Sequence, residues 1–414
     1  MITKKIFALI LPLLFSLCTA QTLDFWAFGS ASETENTLFQ SWVDTWNEQH
    51  PDTPVELTLY PTAEYVSGPV LTTAFASGTA PDIFLISPGK FLQYAESGAA
   101  ADLSDLFTPE LREDLLPAAL EAITVDGVPY AMPFEQEPVA LYYNEDLFET
   151  AGLEVPTSWD DFLAASQTFN EQGLTAVVIE PAPGPYQNFT WYPFLWATGA
   201  DAADAALTEA TFDSPGTAQA LDLWRTLIQE GYAPRTTSNT TADIASTPFA
   251  TGQAAMWVGG VWAIESLVAD YPDLTFGIAP LPTPSGEDPV SVYGGWTMMV
   301  NASGENVVTA KAFTNWMWAE GTERPLQWAT ETGVFSPRQS VTEAGQAAFD
   351  RPYYRDFRDE ILPIARAEPA YPADMVKIIS DALQAAMFRD TPGEAAARTA
   401  QQQLEAFLQN RVAQ

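Results

Sequence analysis

Short apolar segments alternate with longer amphipathic segments along the chain, and this alternation constrains the fold more than any other feature. Residues 23–28 form the first predicted strand, and residues 32–49 place Leu38, Trp42 and Trp46 at helical spacing. Further strands are predicted at 55–60, 81–87, 174–180, 254–262 and 276–282, and helices at 91–98, 158–173, 218–231, 307–319 and from 392 onward. Strands that alternate with helices form mainly parallel sheets covered by helices, which predicts an α/β fold.

The first 20 residues have the features of a cleaved export signal. Two lysines precede an apolar run at residues 6–17, and small residues follow, so cleavage is predicted after Ala20. Acylation of Cys18 is a weaker alternative because a large residue, Leu17, precedes it. The apolar run is shorter than the roughly 20 residues of a membrane-spanning helix. We therefore expect a soluble, exported chain, located in the periplasm or at the cell surface.

The chain offers few groups for catalysis or metal binding. Its one histidine, His50, precedes a proline in a predicted surface turn, and its one cysteine lies in the predicted signal. A Ser-His-Asp triad of the usual kind, a Cys-His pair and a zinc cluster are not expected, and neither is a cofactor or a metal. The formal charge of −37 disfavours nucleic acid and anionic membranes as partners.

One pair of carboxylates leaves an enzyme as an alternative. Glu135 and Glu137 are two positions apart, which in a strand places both side chains on one face about 7 Å apart. A glycosidase needs two carboxyl groups around one glycosidic bond. With 54 acidic residues such pairs arise easily by chance, so no enzyme is predicted.

Four local patterns, in order, carry a resemblance to a known family. They are residues 75–87 with 93–103, residues 125–153 with 156–162, residues 249–262, and residues 277–286 with the YGGW motif at 293–296. In these segments the chain resembles the family 1 extracellular solute-binding proteins, the maltose-binding-protein-like receptors of bacterial sugar importers.

The resemblance implies two α/β lobes with the ligand in the cleft between them. The implied division is a signal peptide at 1–20, an N-terminal lobe at 21–131 plus 293–336, and a C-terminal lobe at 132–292 plus 337–414. Segments that cross between the lobes are expected near 131–137, 284–293 and 333–340, where proline or glycine is close by.

A sugar-binding cleft needs flat apolar surfaces for the C–H faces of the rings and polar side chains for the hydroxyl groups. Most of the 13 tryptophans, including Trp42, Trp46, Trp224, Trp316 and Trp318, are predicted to pack in the core. The candidate ligand-binding residues are Trp262, Trp191 and Trp296 for stacking, with Gly260 beside them, and Glu137, Glu135, Ser87, Lys90, Ser30, Glu33, Tyr186, Asn188 and Arg338 for polar contacts. Trp191, Trp262 and Trp296 are expected near strand ends.

The sequence thus predicts an extracytoplasmic receptor for a neutral mono- or oligosaccharide. Lobe closure would capture the sugar, and the partners would be the permease subunits of an ABC importer with a separate ATPase. The protein is expected to be a monomer. A receptor for a polyamine or a glycerol phosphodiester remains an alternative, since one fold serves many ligands.

Overall fold

The computed structural model describes residues 22–29, 33–66, 68–237 and 239–412. The predicted signal peptide, Cys18, Ser30 and Ser32 lie outside the described residues. The strands are β1 (Leu23–Gly29), β2 (Val55–Pro61), β3 (Ile83–Ile86), β4 (Thr124–Val125), β5 (Val128–Pro129), β6 (Met132–Pro133), β7 (Glu137–Asn144), β8 (Thr175–Val178), β9 (Ala254–Gly260), β10 (Phe276–Ala279), β11 (Ser291–Gly294), β12 (Thr297–Val300) and β13 (Ala365–Ala367).

The α-helices cover the faces and edges of the sheets. They are α1 (Glu33–Gln49), α2 (Thr62–Val66), α3 (Val70–Ser77), α4 (Pro88–Glu96), α5 (Pro109–Asp114), α6 (Pro117–Ala122), α7 (Glu145–Ala151), α8 (Trp159–Glu171), α9 (Pro185–Trp196), α10 (Pro215–Gln229), α11 (Ile264–Asp270), α12 (Val307–Trp318), α13 (Glu323–Thr332), α14 (Gln339–Ala344), α15 (Gln346–Phe349), α16 (Tyr354–Asp356), α17 (Ala373–Arg389) and α18 (Gly393–Val412). In the described part of the chain, no helix has both the length and the apolar character needed to span a bilayer.

Two larger sheets organise the molecule. The first sheet has the order β2-β1-β3-β12-β6, and the second has the order β13-β11-β7-β9-β8, with β10 paired to β7. The α/β class is confirmed, but the expectation of mainly parallel sheets is wrong. The β1–β2, β1–β3, β8–β9 and β11–β13 pairs are parallel, while β12 and β7 pair antiparallel with each of their neighbours. β7 and β12 each follow a segment that crosses from one sheet to the other. Each of them therefore enters its sheet in the direction opposite to that of its neighbouring strands.

The core of the first sheet forms because α1 carries apolar residues on one stripe. Phe39 lies edge-on to Phe25 of β1 with ring centroids 5.8 Å apart, and Trp42 lies edge-on to Trp318 at 5.4 Å. Trp42, Trp46, Trp224, Trp316 and Trp318 are all buried, which confirms their predicted packing role. Fully burying a large apolar side chain contributes about 1.5–3 kcal/mol.

The chain passes between the two sheets through short segments. One crossing runs from β6 to β7, and its Gln136 donates its backbone NH to Phe335 O at 2.7 Å. A second runs from β11 to β12 through Gly295, whose φ of +134° and whose approach to Glu135 require a glycine. Residues 337–340 lie against the end of α5, since Ser340 donates its backbone NH to Asp114 Oδ1 at 2.7 Å. The exact limits of the two lobes remain a prediction.

Candidate functional site

A cleft with a cavity volume of about 140 Å³ lies at the crossings between the two sheets. Phe28 at the end of β1 and Ser87 after β3 line it from one side, and Tyr186 and Trp262 line it from the other. Glu137, at the start of β7, lies between these walls. Ligands of open α/β sheets bind beyond the carboxyl ends of the strands, which is where β1, β3 and β9 deliver their loops.

Trp262 forms an aromatic surface on one side of the cleft. Its indole Nε1 donates to Ala242 O at 2.9 Å, which fixes the ring, and Tyr186 lies edge-on to it with centroids 6.3 Å apart. A Cβ on Gly260 would lie 1.7 Å from Cζ3 of Trp262, so the ring lies directly on the glycine backbone. Gly260 therefore supports the stacking candidate from behind and is not itself part of the cavity wall.

Trp296 forms the second aromatic surface, on the other side of the cleft. Its ring lies against Phe28 with centroids 4.5 Å apart. Its backbone NH donates to Glu135 Oε1 at 3.1 Å, which ties the crossing after β11 to the crossing after β6. Trp262 and Trp296 are both half-buried, so each retains surface for a ligand.

Carboxyl groups dominate the polar lining of the cleft. Glu35, Glu135, Glu137, Asp243 and Glu368 all line it. Lys, Arg and His are absent from the lining as far as the described residues define it.

Burial raises the pKa values of three of these carboxyl groups. Burial, reinforced by the neighbouring Glu35 charge, raises the pKa of Glu135 to about 8. Burial and the charges of Glu135 and Glu35 raise the pKa of Glu137 well above its ordinary value. Burial raises the pKa of Glu368 to about 8 as well.

Glu135 is held by the protein itself. Its Oε1 accepts from the backbone NH of Trp296, and its Oε2 accepts from Trp328 Nε1 at 2.9 Å. Both carboxylate oxygens of Glu135 therefore accept a hydrogen bond from the protein, and the residue is only 5% exposed. We infer that Glu135 mainly positions Trp296.

A second buried carboxylate, Glu180, holds the loop beneath Trp262. Its Oε2 accepts from the backbone NH of Thr241 at 2.8 Å and from Thr240 Oγ1 at 3.0 Å. The next residue, Ala242, supplies the carbonyl that binds the Trp262 indole. Sequence reasoning missed Glu180 because nothing near it in the chain indicates the loop that it binds.

The structure separates Trp191 and Asn188 from the cleft. Both lie in α9 rather than near a strand end, so the expected position of Trp191 is wrong. Trp191 is fully buried and donates its Nε1 to Ala220 O at 3.3 Å. Asn188 is also fully buried and donates to Val376 O at 2.8 Å. Neither side chain can reach a ligand in this cleft, because both are covered by neighbouring helices.

Arg338 also lies away from the cleft and has a structural environment. Its Nε pairs with Asp114 Oδ2 at 2.7 Å, and its Nη1 donates to Trp318 O at 3.0 Å and to Gly321 O at 2.6 Å. Burial alone would raise the pKa of the Asp114 carboxyl, but hydrogen bonds from Arg338 and Ser340 lower it. The Nε and Nη1 atoms of Arg338 therefore bind α5 to the end of α12.

Two further candidates lie near the cleft without lining it. Lys90 in α4 places its Nζ 3.5 Å from Tyr65 O, and burial lowers its pKa to about 8. Glu33 is exposed at the start of α1. Of the predicted site residues, the structure brings together Trp262, Trp296, Glu135, Glu137, Ser87 and Tyr186.

Prediction from the sequence missed Glu35, Phe28, Phe189 and Glu368 among the lining residues. Glu35 had a usable signal, because it lies on the same stripe of α1 as the buried apolar residues. Glu368 had no such signal in the sequence, because only the pairing of β13 with β11 brings it to the cleft.

The arrangement fits the binding of a polar molecule with an apolar face. Two aromatic surfaces can cover the face, and the carboxyl groups can exchange hydrogen bonds with polar substituents. Among the described residues, no group of three His, Cys, Asp or Glu side chains has an arrangement that could hold a metal ion.

Comparison with known proteins gives a consistent result. The family described as bacterial extracellular solute-binding protein matches residues 30–323. A putative binding protein of Brucella abortus (strain 2308) is 26% identical over 226 residues, which cover 52% of this chain and 53% of the relative. The chain therefore spans about half the length of this curated relative. The maltotriose-binding protein of Pyrococcus abyssi is 27% identical over 287 residues, 68% of this chain and 59% of that protein.

Solved structures share the fold. The GacH receptor of Streptomyces glaucescens, solved without ligand and with acarbose, matches with a TM-score of 0.80 and 24% identity. The match covers 94% of this chain and 99% of that one. At this identity the likeness shows the two-lobed fold alone.

Proposed function

Because the chain belongs to the bacterial extracellular solute-binding proteins, we propose that it is an extracytoplasmic receptor for a mono- or oligosaccharide. The observation that carries this proposal is the pair of half-buried rings, Trp262 and Trp296, on opposite sides of one carboxyl-lined cleft. A sugar ring presents C–H groups on its faces and hydroxyl groups at its edge. Such a ligand matches aromatic walls and carboxyl acceptors at once.

Lobe closure would complete the site. The cleft lies where the chain crosses between the sheets, and a few residues in such segments can absorb the rotation of one lobe against the other. Gly295 is one such residue, because its backbone conformation is open to glycine alone. Closure would bring Trp262 and Trp296 onto the two faces of the sugar.

Delivery to a membrane importer completes the proposed function. The partners would be the permease subunits of an ABC importer with a separate ATPase. The receptor would act as a monomer in the periplasm or at the cell surface, after removal of residues 1–20.

Two alternatives from the sequence are less well supported. Hydrolysis by Glu135 and Glu137 needs a free carboxylate or carboxylic acid at each position, but both Glu135 oxygens are already bound within the protein. A glycerol phosphodiester would call for Arg or Lys in the cleft. The described lining offers neither.

The test is a thermal-shift screen of residues 21–414 against sugars, sugar alcohols, polyamines and glycerol phosphodiesters. A ligand that binds only the folded protein raises its melting temperature. A shift with a sugar that is recovered unchanged after incubation supports the receptor. Shifts confined to phosphodiesters, or release of shorter products, would contradict it.

Trp262→Ala tests the site within the same assay, and Trp159→Ala is a matched control. Each indole is half-buried and donates to a backbone carbonyl at 2.9 Å, but Trp159 binds Pro282 O outside the cleft. Trp262→Ala should weaken sugar binding by about 2 kcal/mol, and Trp159→Ala should leave affinity unchanged. If both variants change sugar affinity to the same extent, Trp262 is not part of the binding site.

A further inference from the structure

Glu137, Gly294 and Glu368 lie side by side on three adjacent chain segments. Gly294 of β11 is opposite Glu137 of β7. On the other side Tyr293 pairs with Ala367 of β13, and Glu368 donates its backbone NH to Tyr293 O at 2.9 Å, which brings Glu368 beside Gly294. Residues in register share one face of a sheet, so the two carboxylates project together, with their backbones two strand spacings, about 9.5 Å, apart.

The glycine between them keeps the space open. A Cβ on Gly294 would lie 3.4 Å from Glu368 Oε2 and 3.0 Å from Phe189 Cε2. A Cβ on Gly89 would lie 2.7 Å from Glu368 Oε1. The Glu368 carboxylate is therefore held between two glycine backbones, and no side chain of β11 separates it from Glu137.

Both carboxylates lack a protein partner. Among the described residues, neither Glu137 nor Glu368 accepts a hydrogen bond, although Glu368 is only 7% exposed. Glu135, with both oxygens bound, is the contrasting case in the same cleft. A buried carboxylate without a partner is costly, so its presence points to a partner that the ligand supplies.

None of the described residues that line the cleft is positively charged. The nearest candidate by sequence, Lys90, is outside the described lining of the cleft and approaches Tyr65 O instead. The aromatic rings of Phe189, Tyr186 and Trp262 line the same cavity. Aromatic faces and carboxylates together attract a cation.

We propose that the ligand carries a positively charged nitrogen that lies between Glu137 and Glu368. This inference rests on the proposed function and narrows the substrate class from a sugar, expected to be neutral, to an amino sugar. The ammonium forms the hydrogen bonds that both carboxylates lack, and the apolar face of its ring stacks on the aromatic wall.

Calorimetric titration of residues 21–414 at pH 7 with three matched disaccharides tests this. The ligands are chitobiose with free amino groups, its diacetylated form, and cellobiose; spermidine is included because an ammonium could also come from a polyamine. Chitobiose should bind at least tenfold more tightly than the two neutral sugars. Neutral sugars that bind as well or better overturn the inference and leave the proposed function standing. Binding of spermidine alone overturns both, and binding of none of the four ligands overturns the amino-sugar inference.

Two variants identify the carboxylates responsible, and a third controls for the loss of charge. Glu368→Gln and Glu137→Gln should each weaken chitobiose at least tenfold and change cellobiose affinity less than threefold. Glu154→Gln makes the same substitution at an exposed position and should change neither affinity. If the two cleft variants lose affinity for chitobiose and for cellobiose to the same extent, the ammonium site is overturned. If Glu368→Gln does not fold, Glu137→Gln alone still decides between these outcomes.

Discussion

Replacing Glu368 with glutamine should remove a large part of the pH dependence of stability in the ligand-free protein. Burial raises the pKa of Glu368 to about 8 in the folded chain, from an ordinary value of 4.5. The folded state therefore holds a proton that the unfolded state has lost. Stability falls as pH rises from about 4.5, and it levels off above about pH 8.

The magnitude follows from this difference in pKa. A tenfold change in an equilibrium constant is about 1.4 kcal/mol, so the ceiling for this carboxyl is about 5 kcal/mol. Between pH 5 and pH 7 the expected loss is about 2.5 kcal/mol. Glutamine is uncharged at every pH and resembles the protonated acid, so Glu368→Gln should be more stable than the parent at neutral pH and similar to it near pH 4.

The assay is thermal unfolding of the parent and the variant across pH 4 to 8 without ligand. Glu135 and Glu137 also have raised pKa values, so the parent retains a slope that the variant shares. The difference between the two melting temperatures isolates Glu368 and should widen with pH. Tyr192 of α9 also interacts with Glu368, but its pKa is raised well above 10 and so lies outside the range scanned. Parallel curves would refute the reasoning and show that the Glu368 carboxyl is solvated or paired.

Three further substitutions test the roles assigned by position. Arg338→Ala should reduce the free energy of unfolding by about 3 kcal/mol, because it leaves Asp114 without its ion pair, and sugar affinity should not change in titration calorimetry. Trp191→Ala should cost about 4 kcal/mol of stability, measured by denaturant unfolding, without a specific loss of affinity in the folded fraction. Gly260→Ala should lower affinity at least tenfold, since the added Cβ would lie 1.7 Å from the Trp262 ring and must displace it, and tryptophan fluorescence would report the displacement. An affinity loss for Arg338→Ala, or unchanged affinity for Gly260→Ala, would contradict these assignments.

Local periodicity was sufficient to predict several of the longer helices and of the strands. The stripe of α1 and the apolar runs of β1 and β9 appear in the structure within a few residues of their predicted limits. These signals are strong because each element buries one face or both faces, which leaves a period in the sequence. The mixed direction of the sheets was not predictable in the same way, because it depends on which strands adjoin a crossing.

Trp191 shows where local reasoning fails. Its segment contains prolines and polar residues, which suggested an irregular approach to a strand end. In the structure Pro185 occupies the first turn of α9, where a missing NH costs nothing, and every residue from 187 to 196 is buried. A helix that is buried on all sides has no polar face, so the periodic signal that identified α1 is absent.

Glu35 and Glu368, both missed from the sequence, differ in whether their role leaves a local pattern in the chain, and this difference explains which parts of a binding site a sequence can reveal. Glu35 lies three and four residues before Leu38 and Phe39, so an acidic side chain on an apolar stripe could have been noticed as a functional candidate. Glu368 is more than 200 residues from Glu137 and meets it only because β11 pairs with both β7 and β13. Each partner in that register looks ordinary alone: a surface-type acid, a glycine and another acid. These three residues become a site only when strand pairing places the glycine, which has no side chain, between the two acids. The two carboxylates then face the same open space.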